Sequence, residues 1–235
     1  MKLIDLIMPR QVKCIFCNRE TSKFGICDEC YERLPLINSP SCEICGGKLI
    51  GRGKTCIECK NRQMNFEKCY CVLEYSGDVQ AKIISFKQNG VKHIGETFAF
   101  LMEDKFSSIN ESVDIIIPVP INEARLAERG FNQSEVLCEN LKSTGKVNTT
   151  VLSRIKDTPH QTGLGRHNRE DNLKGAFEVK DKNGLKDKTI LIVDDIYTTG
   201  ITLNEVARTL LKCKPKKVIA MCLARSPIKV DRIVK

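Results

Sequence analysis

The 235-residue chain has no tryptophan and three histidines, and it contains no run of eighteen apolar residues. That last absence excludes a spanning helix and, with it, membrane insertion by that route. The opening stretch Met1 to Met8 is short, carries Asp5, and is followed by no small-residue cleavage site, so it reads poorly as a signal peptide. The expected compartment is cytoplasmic, where thiols stay reduced. A Walker-type phosphate loop is also missing. The one Gly-Lys-Thr, at 53–55, has Lys48 where the first glycine is needed, and it lies between cysteine pairs instead of after an apolar strand. Aromatic residues are scarce before residue 60, with Phe16, Phe24 and Tyr31 alone, which is thin support for stacking on bases. Two of the histidines, His160 and His167, stand seven apart on a polar segment. That spacing does not favour a metal, and they are read as solvent-facing.

Cysteine is abundant. Four Cys-x-x-Cys pairs, Cys14/Cys17, Cys27/Cys30, Cys42/Cys45 and Cys56/Cys59, occupy residues 14–59. Two pairs close a tetrahedral four-thiolate shell, so eight ligands suit two structural Zn²⁺ ions with no open coordination position. A region this small holds too little apolar core to fold unaided, so the metal supplies folding energy. A sequential pairing (Cys14, Cys17, Cys27, Cys30, then Cys42, Cys45, Cys56, Cys59) is the simplest by proximity, and a crossed pairing is the alternative. Cys69 and Cys71 alternate on an expected strand, and with Cys213 and Cys222 they are read as packed residues and not ligands. The formal charge of +9 falls to about +5 once eight thiolates and two Zn²⁺ are counted. A mildly basic chain fits an acidic small ligand, and nucleic acid less well.

From about residue 67 the pattern changes to strands alternating with helices, which predicts an α/β domain with a parallel sheet and helices on both faces. The expected division is a ribbon domain over 1–66 and an α/β domain over 67–235. Expected strands are 67–75, 113–120, 149–155, 175–179, 189–193 and 217–224. Expected helices begin at a cap on Asp78, run near 94–106, and run from Asn132 to Leu141. The segment 156–173 is a long polar loop containing Arg166 and Arg169, and loops of that length in a compact domain are usually functional.

One stretch carries the chemistry. Thr189-Ile190-Leu191-Ile192-Val193 is apolar throughout, as a strand buried on both faces would be. Asp194 and Asp195 sit where it ends, and Thr198-Thr199-Gly200-Ile201-Thr202 then opens a helix. Thr202 is the expected N-cap, with Glu205 completing a capping box. Ligands of open α/β sheets bind at the carboxyl ends of strands, and tight loops at helix N-termini bind anions. A sugar phosphate suits both features: its hydroxyls would donate to Asp194 and Asp195, and its phosphate would lie over Thr198 to Thr202.

Val193-Asp194-Asp195-Ile196-Tyr197-Thr198-Thr199-Gly200-Ile201-Thr202 resembles the phosphoribosyl pyrophosphate (PRPP) motif of type I phosphoribosyltransferases. Pro118-Val119-Pro120 followed by Arg129-Gly130-Phe131-Asn132-Gln133, with the four cysteine pairs, is similar to the ComF family of competence proteins. The resemblance implies a Rossmann-like type I phosphoribosyltransferase fold behind a small zinc-ribbon region, PRPP binding with Mg²⁺, and catalytic roles for Asp194 and Asp195. It implies that Ile121, Asn122, Arg125 and Arg129 form the pyrophosphate turn. Arg166 and Arg169 would belong to a flexible loop that closes over it. The family often has His where this chain has Asn122. The expected reaction is transfer of the 5-phosphoribosyl group to a nitrogen nucleophile, with pyrophosphate released. The alternative is a non-catalytic PRPP sensor or a handler of single-stranded DNA, with competence-machinery proteins as partners.

Overall fold

The computed structural model describes residues 12–21, 24–38, 40–49, 51, 53–89, 92–143, 145–156 and 173–228. The ribbon region contains β1 (Val12–Lys13), β2 (Glu20–Thr21) and the short helix α1 (Asp28–Glu32). Then come β3 (Cys69–Glu74), α2 (Gly77–Asn89), α3 (Lys92–Ser107), β4 (Ile115–Pro118), α4 (Glu123–Arg129) and α5 (Gln133–Leu137). A 3₁₀ turn at Asn140–Ser143 leads to β5 (Lys146–Val147), β6 (Leu152–Arg154), β7 (Phe177–Val179), β8 (Thr189–Tyr197), α6 (Ile201–Leu211) and β9 (Lys217–Arg225).

Five of these strands form one parallel sheet in the order β3-β9-β8-β4-β5. Strand β4 is followed outward by β5 on one side, and β8 is followed by β9 on the other. The order therefore reverses between β4 and β8, and a crevice opens beyond their carboxyl ends, where ligands of such sheets bind.

The central strands are apolar throughout because both faces are covered. Side chains alternate: Leu191, Val193, Ile219 and Met221 join the core under α2, α3 and α5, together with Cys14, Ile15 and Ile26 of the first ribbon. Ile190, Ile192, Val218 and Cys222 face α6 and the β6–β7 pair, together with Cys42, Cys45, Cys56 and Cys59 of the second ribbon. The two ribbons thus help cover opposite faces of the sheet. The segment that joins them also caps its edge. Ile37 N–H donates to Val72 (2.8 Å), Glu74 N–H donates to Pro35 (2.8 Å), and Leu36 bridges Leu73. This occupies the edge of β3, which would otherwise invite another chain.

Several expectations shift. The strand expected at 149–155 is not in the parallel sheet. Asn148 Oδ1 accepts the N–H groups of Thr150 (3.0 Å) and Val151 (3.1 Å), an Asx turn that leads the chain out of the sheet after β5. Residues 152–154 then pair antiparallel with β7. The helix α2 starts at Gly77, one residue before the expected cap Asp78, which lies in its first turn. The helix from Asn132 is shorter than expected: α5 ends at Leu137 and only a 3₁₀ turn follows. Cys69 and Cys71 are buried as expected, with their sulfurs 3.8 Å apart on one side of β3. The loop 157–172, with Arg166, Arg169, His160 and His167, lies outside the described residues.

Candidate functional site: the crevice between β4 and β8

The strand does not end at the acidic pair as expected: β8 runs on through Tyr197, still paired with β9. Asp194 and Asp195 lie near its end, beyond the last residue of β4 paired with it, and both are nearly buried, but they are held differently. Asp194 turns inward. Its Oδ1 accepts the Ser134 hydroxyl at 3.3 Å and the backbone N–H of Asp195 at 2.9 Å. Burial, with the neighbouring Asp195 carboxylate, pushes Asp194 up to about 7. Asp195 instead faces α2, where Lys87 Nζ stands 2.6 Å from its Oδ2. That approach is not aligned as a hydrogen bond, and Oδ2 accepts none from the described residues.

The Arg-Gly-Phe-Asn-Gln segment organises the crevice. Gly130 takes φ +80° to end α4, returning its N–H to Leu126, a conformation that glycine adopts without cost. Phe131 packs on Phe86 with ring centroids 5.3 Å apart. Asn132 caps α5 by accepting Ser134 N–H (3.0 Å), and its amide donates to the Val119 carbonyl (3.1 Å). A continuous set of bonds therefore runs from the Pro-Val-Pro strand end through Asn132 and Ser134 to Asp194. Gln133 Oε1 accepts from Arg129 Nη1 at 2.5 Å. Burial lowers the pKa of Arg129, and the Asp195 charge acts against that. Asn122 is the N-cap of α4, with Oδ1 accepting Arg125 N–H at 3.0 Å. Ile121 and Asn122 form the turn after β4, Arg125 is partly exposed on α4, and both lead from the strand next to β8.

The expected cap at Thr202 is corrected: α6 begins at Ile201, with Gly200 as N-cap at φ +79° and no side-chain cap. Glu205 does not fold back on Thr202. It accepts the Gly175 N–H (2.6 Å) and pairs with Arg208 (2.6 Å), tying the exit of the polar loop to α6. Gly200 is required twice, by its φ and because a Cβ there would collide with the Tyr197 hydroxyl. Thr198, Thr199, Gly200 and Ile201 thus wrap the strand tip, and Thr202 lies in the first turn of the helix. The second ribbon touches the same loop. Arg62 Nη1 donates to the Thr199 carbonyl (2.8 Å), and Asn65 donates twice to Asn204 Oδ1 (2.7 and 2.9 Å).

The profile of the phosphoribosyl transferase domain matches residues 84–235, and that of the double zinc ribbon domain matches residues 3–71. Competence protein F of Haemophilus influenzae is 30% identical over 91% of this chain and 97% of its own length. The chain belongs to the ComF family. Other ComF relatives include competence protein ComFC of Bacillus subtilis strain 168, 27% identical over 86% of this chain and 84% of that one. DNA utilization protein YhgH of Escherichia coli K12 is 27% identical over 86% and 91%.

The ribbon cysteines fit the metal that the double-ribbon family implies. The pairing is sequential: the sulfurs of Cys14, Cys17, Cys27 and Cys30 lie within 4.8 Å of one another, as do those of Cys42, Cys45, Cys56 and Cys59. Separations of 3.6 Å (Cys17 to Cys27) and 3.7 Å (Cys45 to Cys56) match the edge of about 3.8 Å that Zn–S bonds of ~2.3 Å impose on a tetrahedron. The crossed pairing is excluded by this grouping. Among the described residues no helix is long and apolar enough to cross a membrane.

Lys87, Ser134, Asn132, Arg62 and Asn204 also bear on the site. Asn132 was visible in the family-like segment. The others carried no motif, because each acts through a contact between elements distant in sequence.

Proposed function

We propose that the chain binds PRPP with Mg²⁺ in the crevice between β4 and β8, and transfers its 5-phosphoribosyl group to a nitrogen nucleophile with release of pyrophosphate. The observation that carries this reading is the meeting, at one reversal of strand order, of an acidic strand end, a glycine-opened anion loop and a turn leading into a helix that bears two arginines. The donors at the strand tip are carboxylate oxygens, which suit Mg²⁺. That ion keeps waters and leans on substrate phosphates more than on a protein cage. When bound it would neutralise charge on the leaving diphosphate.

Asp195 would accept ribose hydroxyls through Oδ2, which is buried beside Lys87 and accepts no aligned hydrogen bond from the described residues. Asp194, fixed by Ser134, holds the strand tip in shape. The 5′-phosphate would lie over 198–202, where backbone N–H groups and the N-terminus of α6 favour an anion. Attack by the nitrogen lone pair forms the bond to ribose C1 as the C1–O bond to diphosphate breaks, and the nitrogen's proton passes to solvent. Positive charge that builds on the ring would be stabilised by the Asp195 carboxylate, and by Asp194 to the extent that it is ionised. The turn at Ile121 and Asn122, with Arg125 and Arg129, receives the departing diphosphate. Arg166 and Arg169 of the polar loop would close over it and exclude water, which competes for the ribosyl cation. Like its competence-linked relatives, the chain would act in the handling of taken-up DNA.

The test is pyrophosphate release from zinc-loaded protein, Mg²⁺ and PRPP, with a panel of nucleobases, ammonia and simple amines. Release that requires an acceptor and matches ribosylated product mole for mole is expected. PRPP that binds while no acceptor elicits pyrophosphate would overturn transfer in favour of the sensing alternative.

A further inference from the structure

We propose that Lys87 is a further substrate-binding residue: it neutralises Asp195 in the ligand-free protein and moves to the diphosphate of PRPP when the ribose hydroxyls take the carboxylate. The inference rests on the PRPP reading of the crevice. It starts from position. Lys87 lies in the last turn of α2, an element outside every motif of the site. A lysine there ordinarily extends into solvent, where it complements the helix dipole. This one is 25% exposed, and its Nζ stands 2.6 Å from Asp195 Oδ2 on a carboxylate only 8% exposed.

The helix end that carries it is fixed. Ile83 and Phe86 are buried, and the Phe86 ring meets Phe98 at 6.2 Å and Phe131 at 5.3 Å. Phe131 belongs to the segment that follows the pyrophosphate turn, and α2 itself touches α4. The ammonium is thus delivered beside the acidic strand end, on a helix that touches the one carrying Arg125 and Arg129.

Two acidic side chains side by side in a nearly buried tip repel each other, and a cation beside them lowers that cost. The same cation cannot keep its full pairing once hydroxyls occupy Asp195. PRPP brings its diphosphate to the neighbouring turn at that moment, and a lysine on a flexible four-carbon stem can follow it. Asp195 Oδ2 is buried with Lys87 Nζ 2.6 Å away and accepts no aligned hydrogen bond from the described residues, so a hydroxyl takes it as Lys87 leaves. The exchange therefore begins with a swing of the Lys87 side chain.

The experiment compares two ligands on the zinc-loaded full chain: Mg·PRPP, and ribose 5-phosphate, which has the sugar and 5′-phosphate but no diphosphate. Lys87→Met is expected to weaken PRPP by about tenfold or more, the scale of one lost charge-assisted contact. Ribose 5-phosphate should change by less than about twofold, and Lys87→Arg should keep PRPP within about threefold. If Lys87→Met loses its melting transition, Lys87→Gln is read in its place. Equal losses for both ligands would make Lys87 a structural partner of Asp195 and overturn the proposal. Unchanged PRPP binding would overturn it as well. Wild-type protein that binds no PRPP would instead remove the underlying reading of the site.

Discussion

Arg62, three residues past the last ribbon cysteine, donates its Nη1 to the backbone carbonyl of Thr199 at 2.8 Å. A trans peptide is planar, so its C=O and the next N–H point in opposite directions. Drawing the Thr199 carbonyl toward the ribbon therefore turns the Gly200 N–H the other way. Asn65 holds the first turn of α6 through Asn204. The second ribbon thus braces the loop on which the proposed phosphate site depends.

Removing that brace should be felt as lost affinity. Arg62→Ala is expected to cost about 1.5–3 kcal/mol in loop fixation, the range for a hydrogen bond from a charged donor. Mg·PRPP should bind about tenfold more weakly or worse, with zinc content unchanged. Calorimetry with metal analysis on the same sample decides it, and full affinity in the variant would show that the brace is idle.

The two ribbons should differ in their effect on the site. Each chain is expected to carry two zinc ions, and Cys17→Ser or Cys45→Ser should each leave one. The first ribbon docks on α3, where Phe24 meets Phe100 at 3.9 Å and His93 Nε2 lies 2.9 Å from the Lys13 carbonyl. The second braces 199–204. Loss of the second ion should weaken PRPP binding, and loss of the first should chiefly lower the melting temperature. Equal effects on affinity would contradict this division.

Glycine replacements separate backbone strain from collision. Gly184 has φ +77° with nothing near a would-be Cβ, whereas Gly46 has φ +65° and its Cβ would strike the Cys69 backbone carbonyl. Gly184→Ala should cost about 1 kcal/mol. Gly46→Ala should cost clearly more, ~3 kcal/mol or above, because the backbone of β3 cannot shift without breaking sheet bonds. Thermal unfolding of zinc-loaded protein compares them, and equal losses would refute the close docking of ribbon on sheet.

Asp194 should leave a signature in stability against pH. Its carboxyl, raised by burial and by Asp195 to about 7, keeps a proton in the folded chain that the unfolded chain has already released. Stability then falls as pH rises toward 7 and levels above it. Between pH 6 and 8 wild type should lose about 1.4 kcal/mol relative to Asp194→Asn. Melting curves at zinc saturation, run at both pH values, measure the difference, and parallel curves would contradict it.

Much of the architecture was legible because its signals are local. Apolar runs at 189–193 and 217–224 announced strands covered on both faces, and the cysteine spacing announced two four-sulfur sites. The exit of the chain after β5 was not legible, since the Asn148 turn outweighs the strand pattern that follows it. The start of α6 was misplaced by a plausible Thr202–Glu205 box. Gly200 in the left-handed region begins the helix earlier, and Glu205 is claimed by Gly175 and Arg208. In the site, the acidic pair and the loop were readable as one motif. The different settings of Asp194 and Asp195 were not, since Ser134 and Lys87 lie about 60 and 110 residues away.

The most direct measurement is titration calorimetry of Mg·PRPP into zinc-loaded wild type and into Asp195→Asn. A saturable heat at one ligand per chain, weakened by about tenfold or more in the variant, is the predicted result. No saturable heat in wild type, or the same affinity in both proteins, would contradict a PRPP site at the tip of β8.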